Sequence, residues 1–168
     1  YMFSECKINT LDLSSFDTSN VTSMTAMFLE AKIGSLDLSS FNTQKVILMN
    51  EMFFECNIED LDISHFNTSN VFTMESMFEN CTSKVLDVSN FDTSKVVYMQ
   101  GMFRNTKALN INVRNFNTAN VIDMSYMFYN IYAKYLYLNS FDTSKVKNMA
   151  YMFSECKINT LDLSSFDT

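Results

Sequence analysis

Leu11-Asp12-Leu13-Ser14-Ser15-Phe16-Asp17-Thr18 returns throughout the chain at one interval, so that Leu11 meets Leu36, Leu61, Leu86, Ile111, Leu136 and Leu161. Phe16 likewise meets Phe41, Phe66, Phe91, Phe116, Phe141 and Phe166, a spacing of 25 residues (41 − 16) with no insertion or deletion. A second block follows in each repeat. Val21, Met24, Met27 and Phe28 recur, and all 13 methionines fall at the Met24 or the Met27 position. A fixed period in the range of roughly 20–30 residues marks a solenoid, in which each repeat packs only against its neighbours.

Within one repeat, Leu11 and Leu13 alternate with Thr10, Asp12 and Ser14, the period of two of a strand with one buried face. Val21, Met24, Met27 and Phe28 stand at i, i+3, i+6 and i+7, which predicts one stripe of a helix. Asp17, Asn42, Asn67, Asp92, Asn117 and Asp142, each followed by threonine, are read as its N-caps. The expectation is an α/β solenoid, leucine-rich-repeat-like, of about seven strand–turn–helix coils (Leu11 to Leu161) with a parallel sheet on one face, the whole of 1–168 forming one repeat domain.

Composition narrows the function classes. The net charge of −7 argues against a nucleic-acid backbone as partner, which needs a basic footprint. No apolar run approaches the roughly 18 residues of a membrane span. Residues 1–95 carry 14 acids and 5 bases, residues 96–168 carry 5 acids and 7 bases, so the charge rises from −9 in the first part to +2 in the second. This is either compositional drift of a solvated surface or a gradient able to orient head-to-tail contact. Residues 1–18 and 151–168 are identical, which marks a super-repeat of 150 residues (151 − 1) and reads as a segment of a longer array. Leu161, Leu163 and Phe166 lack a polar capping repeat, so end-to-end self-association is expected.

The motif L-D-L-S-x-F-D-T-S-x-V-x-x-M-x-x-M-F resembles the BspA-type leucine-rich repeats of bacterial and protist surface proteins, and its 25-residue form is most similar to the repeat of mycoplasma surface lipoproteins. The resemblance covers the whole chain. It implies a right-handed leucine-rich-repeat-like solenoid at the cell surface or outside the cell, serving adhesion to host matrix proteins. It carries over no catalytic residue and no cofactor.

Candidate sites come from rows of equivalent residues. Asp12, Asp37, Asp62 and Asp87, continued by Asn112, Tyr137 and Asp162, form an outward acidic ladder. It reads as a solvated polar face or as a weak cation site, although Ser and Thr neighbours and the lack of a glycine-bearing loop disfavour calcium. Asn110, Asn112, Arg114, Tyr135 and Tyr137 depart from that face, with Tyr129 and Tyr132 on the preceding stripe. Tyrosine and arginine dominate interface energetics, so this is read as a patch for a protein or glycan ligand, set against neutral drift of a tolerant face. Cys6, Cys56, Cys81 and Cys156 share one repeat position and are read as small structural thiols. Cys56 and Cys81, on neighbouring coils, are close enough in register to raise the question of a bridge. His65, the single histidine, has no nucleophile or carboxylate pair organised around it, so no enzyme and no metal site is expected. Adhesion leads; a structural subunit that stacks into a fibre or surface layer is the alternative.

Overall fold

The computed structural model describes residues 1–167; Thr168, the last member of the threonine row, lies outside them. Seven strands appear in chain order: β1 Lys7–Leu11, β2 Lys32–Leu36, β3 Asn57–Ile58, β4 Val85–Leu86, β5 Asn110–Ile111, β6 Tyr132–Leu136 and β7 Lys157–Leu161. All pairings are parallel and in the register of the repeat, such as Ile8 with Ile33 and Leu11 with Leu36. The strands form a three-stranded sheet β1-β2-β3 and two pairs, β4-β5 and β6-β7, rather than one continuous sheet. At the gap between β3 and β4, Ser83 occupies the slot of Ile8, Ile33 and Ile58. Its buried hydroxyl donates to the Ile58 carbonyl, so a side chain engages a group that faces the next coil.

No described residue is helical, and this overturns the strand–turn–helix coil and, with it, the α/β class. The chain is a parallel β-solenoid. The amides of Met24, Ala26, Phe28 and Glu30 donate to the carbonyls of Leu48, Asn50, Met52 and Phe54 in the next coil, at 2.7–3.0 Å. A helix would have turned them to its own carbonyls. Within the coil, Met27 donates to Met24 and Ala31 to Phe28, each closing a β-turn. The i, i+3 spacing of the methionines is thus the spacing of the two ends of a β-turn. Two positions per coil are left-handed, as at Ala26 (φ 51°) and Glu30 (φ 55°), and the same holds at Ser76, Asn80 and Tyr126. Each non-glycine residue there costs roughly 1–2 kcal/mol, which the ladder and core must offset.

The presumed N-caps do what caps do, but for a turn. Asp17 Oδ1 accepts the Ser19 amide at 2.9 Å, and Asn42, Asn67, Asp92, Asn117 and Asp142 repeat the contact with the residue two places on. These are Asx-turns, which turn a corner and start no helix. The threonine that follows is buried and clasps the next coil. Thr18 Oγ1 donates to the Asn42 carbonyl at 3.1 Å and accepts the Asn42 amide at 2.8 Å. Thr43, Thr93, Thr118 and Thr143 make the same two bonds to the following coil.

The core is a set of columns. Phe3, Phe28, Phe53, Phe78, Phe103, Phe128 and Phe153 stack in sequence with ring centroids 5.5–5.9 Å apart and planes within 13° of parallel. Phe41, Phe66, Phe91, Phe116 and Phe141 form a second buried row, and Met49, Met74, Met99 and Met124 fill the space between turns with no exposed surface. The alternation of Asn and Lys at Asn20, Lys45, Asn70, Lys95, Asn120 and Lys145 also finds its cause. Each lysine Nζ donates to the preceding coil's asparagine Oδ1 at 2.6–2.9 Å, and Asn70 and Asn120 donate onward to backbone carbonyls.

Two substitutions test this architecture. Phe78→Ala, in the middle of the column, should cost about 3–5 kcal/mol in a urea melt, the usual range for a buried phenylalanine. Thr93→Val keeps the shape but leaves the Asn117 amide and carbonyl unanswered, and should cost about 1–3 kcal/mol in the same measurement.

Candidate functional site

Along the strand side of the solenoid the outward rows are set by the Asx-turns. Asp12 Oδ1 accepts the Ser14 amide at 2.9 Å, and Asp37, Asp62, Asp87 and Asp162 accept from Ser39, Ser64, Ser89 and Ser164 at 2.8–3.0 Å. The acidic ladder is therefore a row of turn-closing side chains, each with one carboxylate oxygen bound to its own backbone. Bonds from the backbone amide and hydroxyl of those serines hold all five carboxyls below their ordinary range. The neighbouring aspartate raises Asp37 and Asp87 by a smaller amount. Among the described residues no three His, Cys, Asp or Glu side chains converge to hold a metal ion.

The structure brings Arg114, Tyr135 and Tyr137 together. Tyr135 lies on β6 and Tyr137 just beyond it, in the slots filled by Asn110 and Asn112 one coil earlier. The Tyr135 and Tyr137 rings stack with centroids 6.1 Å apart and an interplanar angle of 24°. The Arg114 guanidinium sits 3.7 Å from the Tyr137 ring centroid, a cation–π contact worth about 0.5–1 kcal/mol at an exposed site. Asn112 Oδ1 faces the Arg114 amide at 3.4 Å, the Asx-turn with asparagine in place of aspartate. Asn110 is exposed on β5, at the edge of this group. Beside the rings runs a shallow groove lined by Tyr135, Leu136, Tyr137, Asn139, Thr160 and Asp162. Asn139 Nδ2 donates to Asp162 Oδ2 at 3.4 Å and holds its carboxylate there. The groove pairs an aromatic wall with carboxylate and amide groups, a surface suited to holding a polar ligand that also has an apolar face.

Tyr132 and Tyr129 belong elsewhere. Tyr132, on β6, takes a 2.8 Å hydrogen bond from Lys157 Nζ. Tyr129 joins a cluster that the reading of the sequence missed, on the β-turn side. Arg104 pairs with Glu79 at 3.3 Å and lies 4.8 and 5.3 Å from the Tyr126 and Tyr129 ring centroids. Glu79 also accepts the Ser76 hydroxyl at 2.7 Å, and burial raises its carboxyl against those two partners. Gly101 (φ 64°) makes room for it, since a Cβ there would stand 2.9 Å from Ser76 Oγ and 3.1 Å from Glu79 Oε2. The signal was present: Glu79, Arg104 and Tyr129 follow one another at a single repeat position.

His65 is exposed, and its Nε2 bonds the Leu38 carbonyl at 3.0 Å, the contact that Ser40 and Ser165 make to the preceding coil in their own repeats. Cys56 and Cys81 are buried free thiols, while Cys6 and Cys156 near the ends are half-buried.

The depressed aspartates give a signed pH dependence. Their folded values lie below the unfolded one of about 3.9, so the stability they contribute is complete above that value and is lost as pH falls through the folded values. The melting temperature should hold from neutral pH to about pH 5 and fall below about pH 4. Asp62→Asn with Asp87→Asn keeps both Oδ1 acceptors, as Asn112 does, but loses the charge that strengthens those bonds, and should lower the neutral melting temperature while reducing the acid-induced fall. Thermal melts across pH check both.

Among the described residues no helix is long and apolar enough to cross a membrane. No curated protein and no solved structure matches the chain. A family model described as "Mycoplasma protein of unknown function, DUF285" matches it twice, over residues 1–85 and 79–168. With its repeat covered from one end to the other, the chain belongs to this family of Mycoplasma proteins of unknown function.

Proposed function

We propose that the protein is a surface-displayed, non-enzymatic repeat protein that holds protein or glycan ligands of a host or matrix along its strand side. The observation that carries this reading is the exposed Tyr135–Tyr137 pair with Arg114 packed on it. Tyr135 and Tyr137 remain 49% and 44% exposed, so two large, rigid and amphipathic rings are presented to solvent. Such residues dominate binding interfaces because they bury area and still hydrogen-bond. The resemblance of the repeat to BspA-type surface repeats points to the same role, and to display outside the cell.

A second reading, stacking of solenoids end to end into a fibre or surface layer, is supported by the sameness of the interfaces between coils, in which each coil meets the next through equivalent donors and acceptors. Electron microscopy separates the two readings, since filaments support stacking and discrete rods with saturable binding support adhesion.

The chain should bind saturably to at least one member of a panel of immobilised extracellular-matrix proteins and glycans. Tyr135→Ala with Tyr137→Ala should weaken that binding at least tenfold while lowering the melting temperature by only about 1–4 °C, the cost of the Arg114–Tyr137 contact. Binding unchanged in the double variant overturns the patch.

A further inference from the structure

Cys56 and Cys81 stand directly above one another on adjacent coils, with their sulfurs 3.2 Å apart. Both are completely buried and neither is bridged. The Thr82 amide donates to the Cys56 carbonyl at 3.0 Å, so the backbones are in register at this point. Parallel neighbours lie about 4.8 Å apart, inside the span of about 4.4–6.8 Å between Cα atoms that a disulfide bridges. Closing the sulfurs to bonding distance therefore takes a shift of about 1 Å with no backbone rearrangement. The pair also lies where the strand ladder is interrupted, between β3 and β4, where the Ser83 hydroxyl holds Ile58.

We propose that Cys56 and Cys81 are an oxidative modification site, joined by hydrogen peroxide or a two-electron oxidant of its class into a disulfide that ties the third coil to the fourth. The two sulfurs share one hydrogen bond in which either is the donor, so the thiolate formed on one is held by the proton of the other. With Cys81 as the attacking sulfur, its thiolate attacks one peroxide oxygen, the O–O bond breaks, and the departing hydroxide takes the thiol's proton to leave as water. Cys81 is then a sulfenic acid. The Cys56 sulfur attacks the Cys81 sulfur, the S–O bond breaks, and hydroxide leaves with the Cys56 proton as a second water. Two thiols lose two electrons and two protons, and one peroxide becomes two waters. Both sulfurs are buried, so the oxidant arrives through local opening and the reaction is slower than at an exposed thiol. Cys6 and Cys156 have Ala31 and Ile131 as their neighbours in the row and cannot pair in this way.

The test uses the whole chain, treated with hydrogen peroxide, quenched, denatured, alkylated and digested with trypsin. Both cysteines fall in one tryptic peptide, residues 46–84, since no Lys or Arg lies between Lys45 and Lys84. The expected result is that this peptide loses two hydrogen masses and carries no alkyl group, while the peptides of Cys6 and Cys156 are alkylated. Diamide, a diazene that accepts the two hydrogens and spares thioethers, should give the same peptide free of methionine oxidation. In Cys56→Ser, Cys81 should stop at the sulfenic acid and be captured by dimedone. The bridged chain should melt about 5–10 °C above the reduced one, the shift that closing a loop of this length brings. Full alkylation of residues 46–84 in diamide-treated chain that retains its native circular dichroism overturns the proposal. So does a bridge that forms only after denaturation.

Discussion

Each coil of this solenoid leaves its main-chain amides unanswered until the next coil arrives. Met24, Ala26, Phe28 and Glu30 donate to Leu48, Asn50, Met52 and Phe54, and the strands repeat the exchange on the other side. A buried amide without a partner costs about as much as a hydrogen bond removed, so no single coil is stable alone. The side chains obey the same rule. The phenylalanine column exists only as a column, and each threonine clasp needs a carbonyl and an amide 24 residues ahead. Stability is therefore a property of interfaces between coils, as in other one-dimensional arrays.

That constraint explains which substitutions the repeat accepts. The position of Ser40 takes His65, Asn90 or Asn115, because each offers a donor to the coil before. The Asx positions exchange Asp for Asn freely, since both present Oδ1 to the amide two residues on. Ser83, in a slot for isoleucine, is tolerated because its hydroxyl finds the Ile58 carbonyl. Outward positions carry no such demand, and there the chain differs most between coils, including the Arg114, Tyr135 and Tyr137 group.

Much of this was legible beforehand. The period gave the solenoid and the parallel register, and nearly every interior apolar residue of the repeat proved buried. The error lay in one segment. Apolar residues at i and i+3 suit both a helix stripe and the ends of a β-turn, and Asp or Asn followed by Thr suits both an N-cap and an Asx-turn. The deciding feature is the left-handed conformation at Ala26, Glu30 and their equivalents, which glycine would have advertised but which only Gly101 does. The threonine clasp was hidden for a similar reason, because a threonine after a cap already had a plausible role. Of the candidate site, the Tyr–Arg group is visible as a departure from the row, while the Glu79–Arg104–Tyr129 series shares a repeat position whose residues have no common chemistry to mark it.

The strict interval between Thr18, Thr43 and Thr68 has a genetic corollary. Recombination between identical stretches, such as 1–18 and 151–168, would remove or insert six whole coils (150/25) at a time. The newly apposed coils then meet with every clasp, ring and turn in phase. An indel of any other length shears both phenylalanine columns at once. A change of length in whole coils thus keeps the ladder in register, and a change by an even number also keeps each lysine over an asparagine.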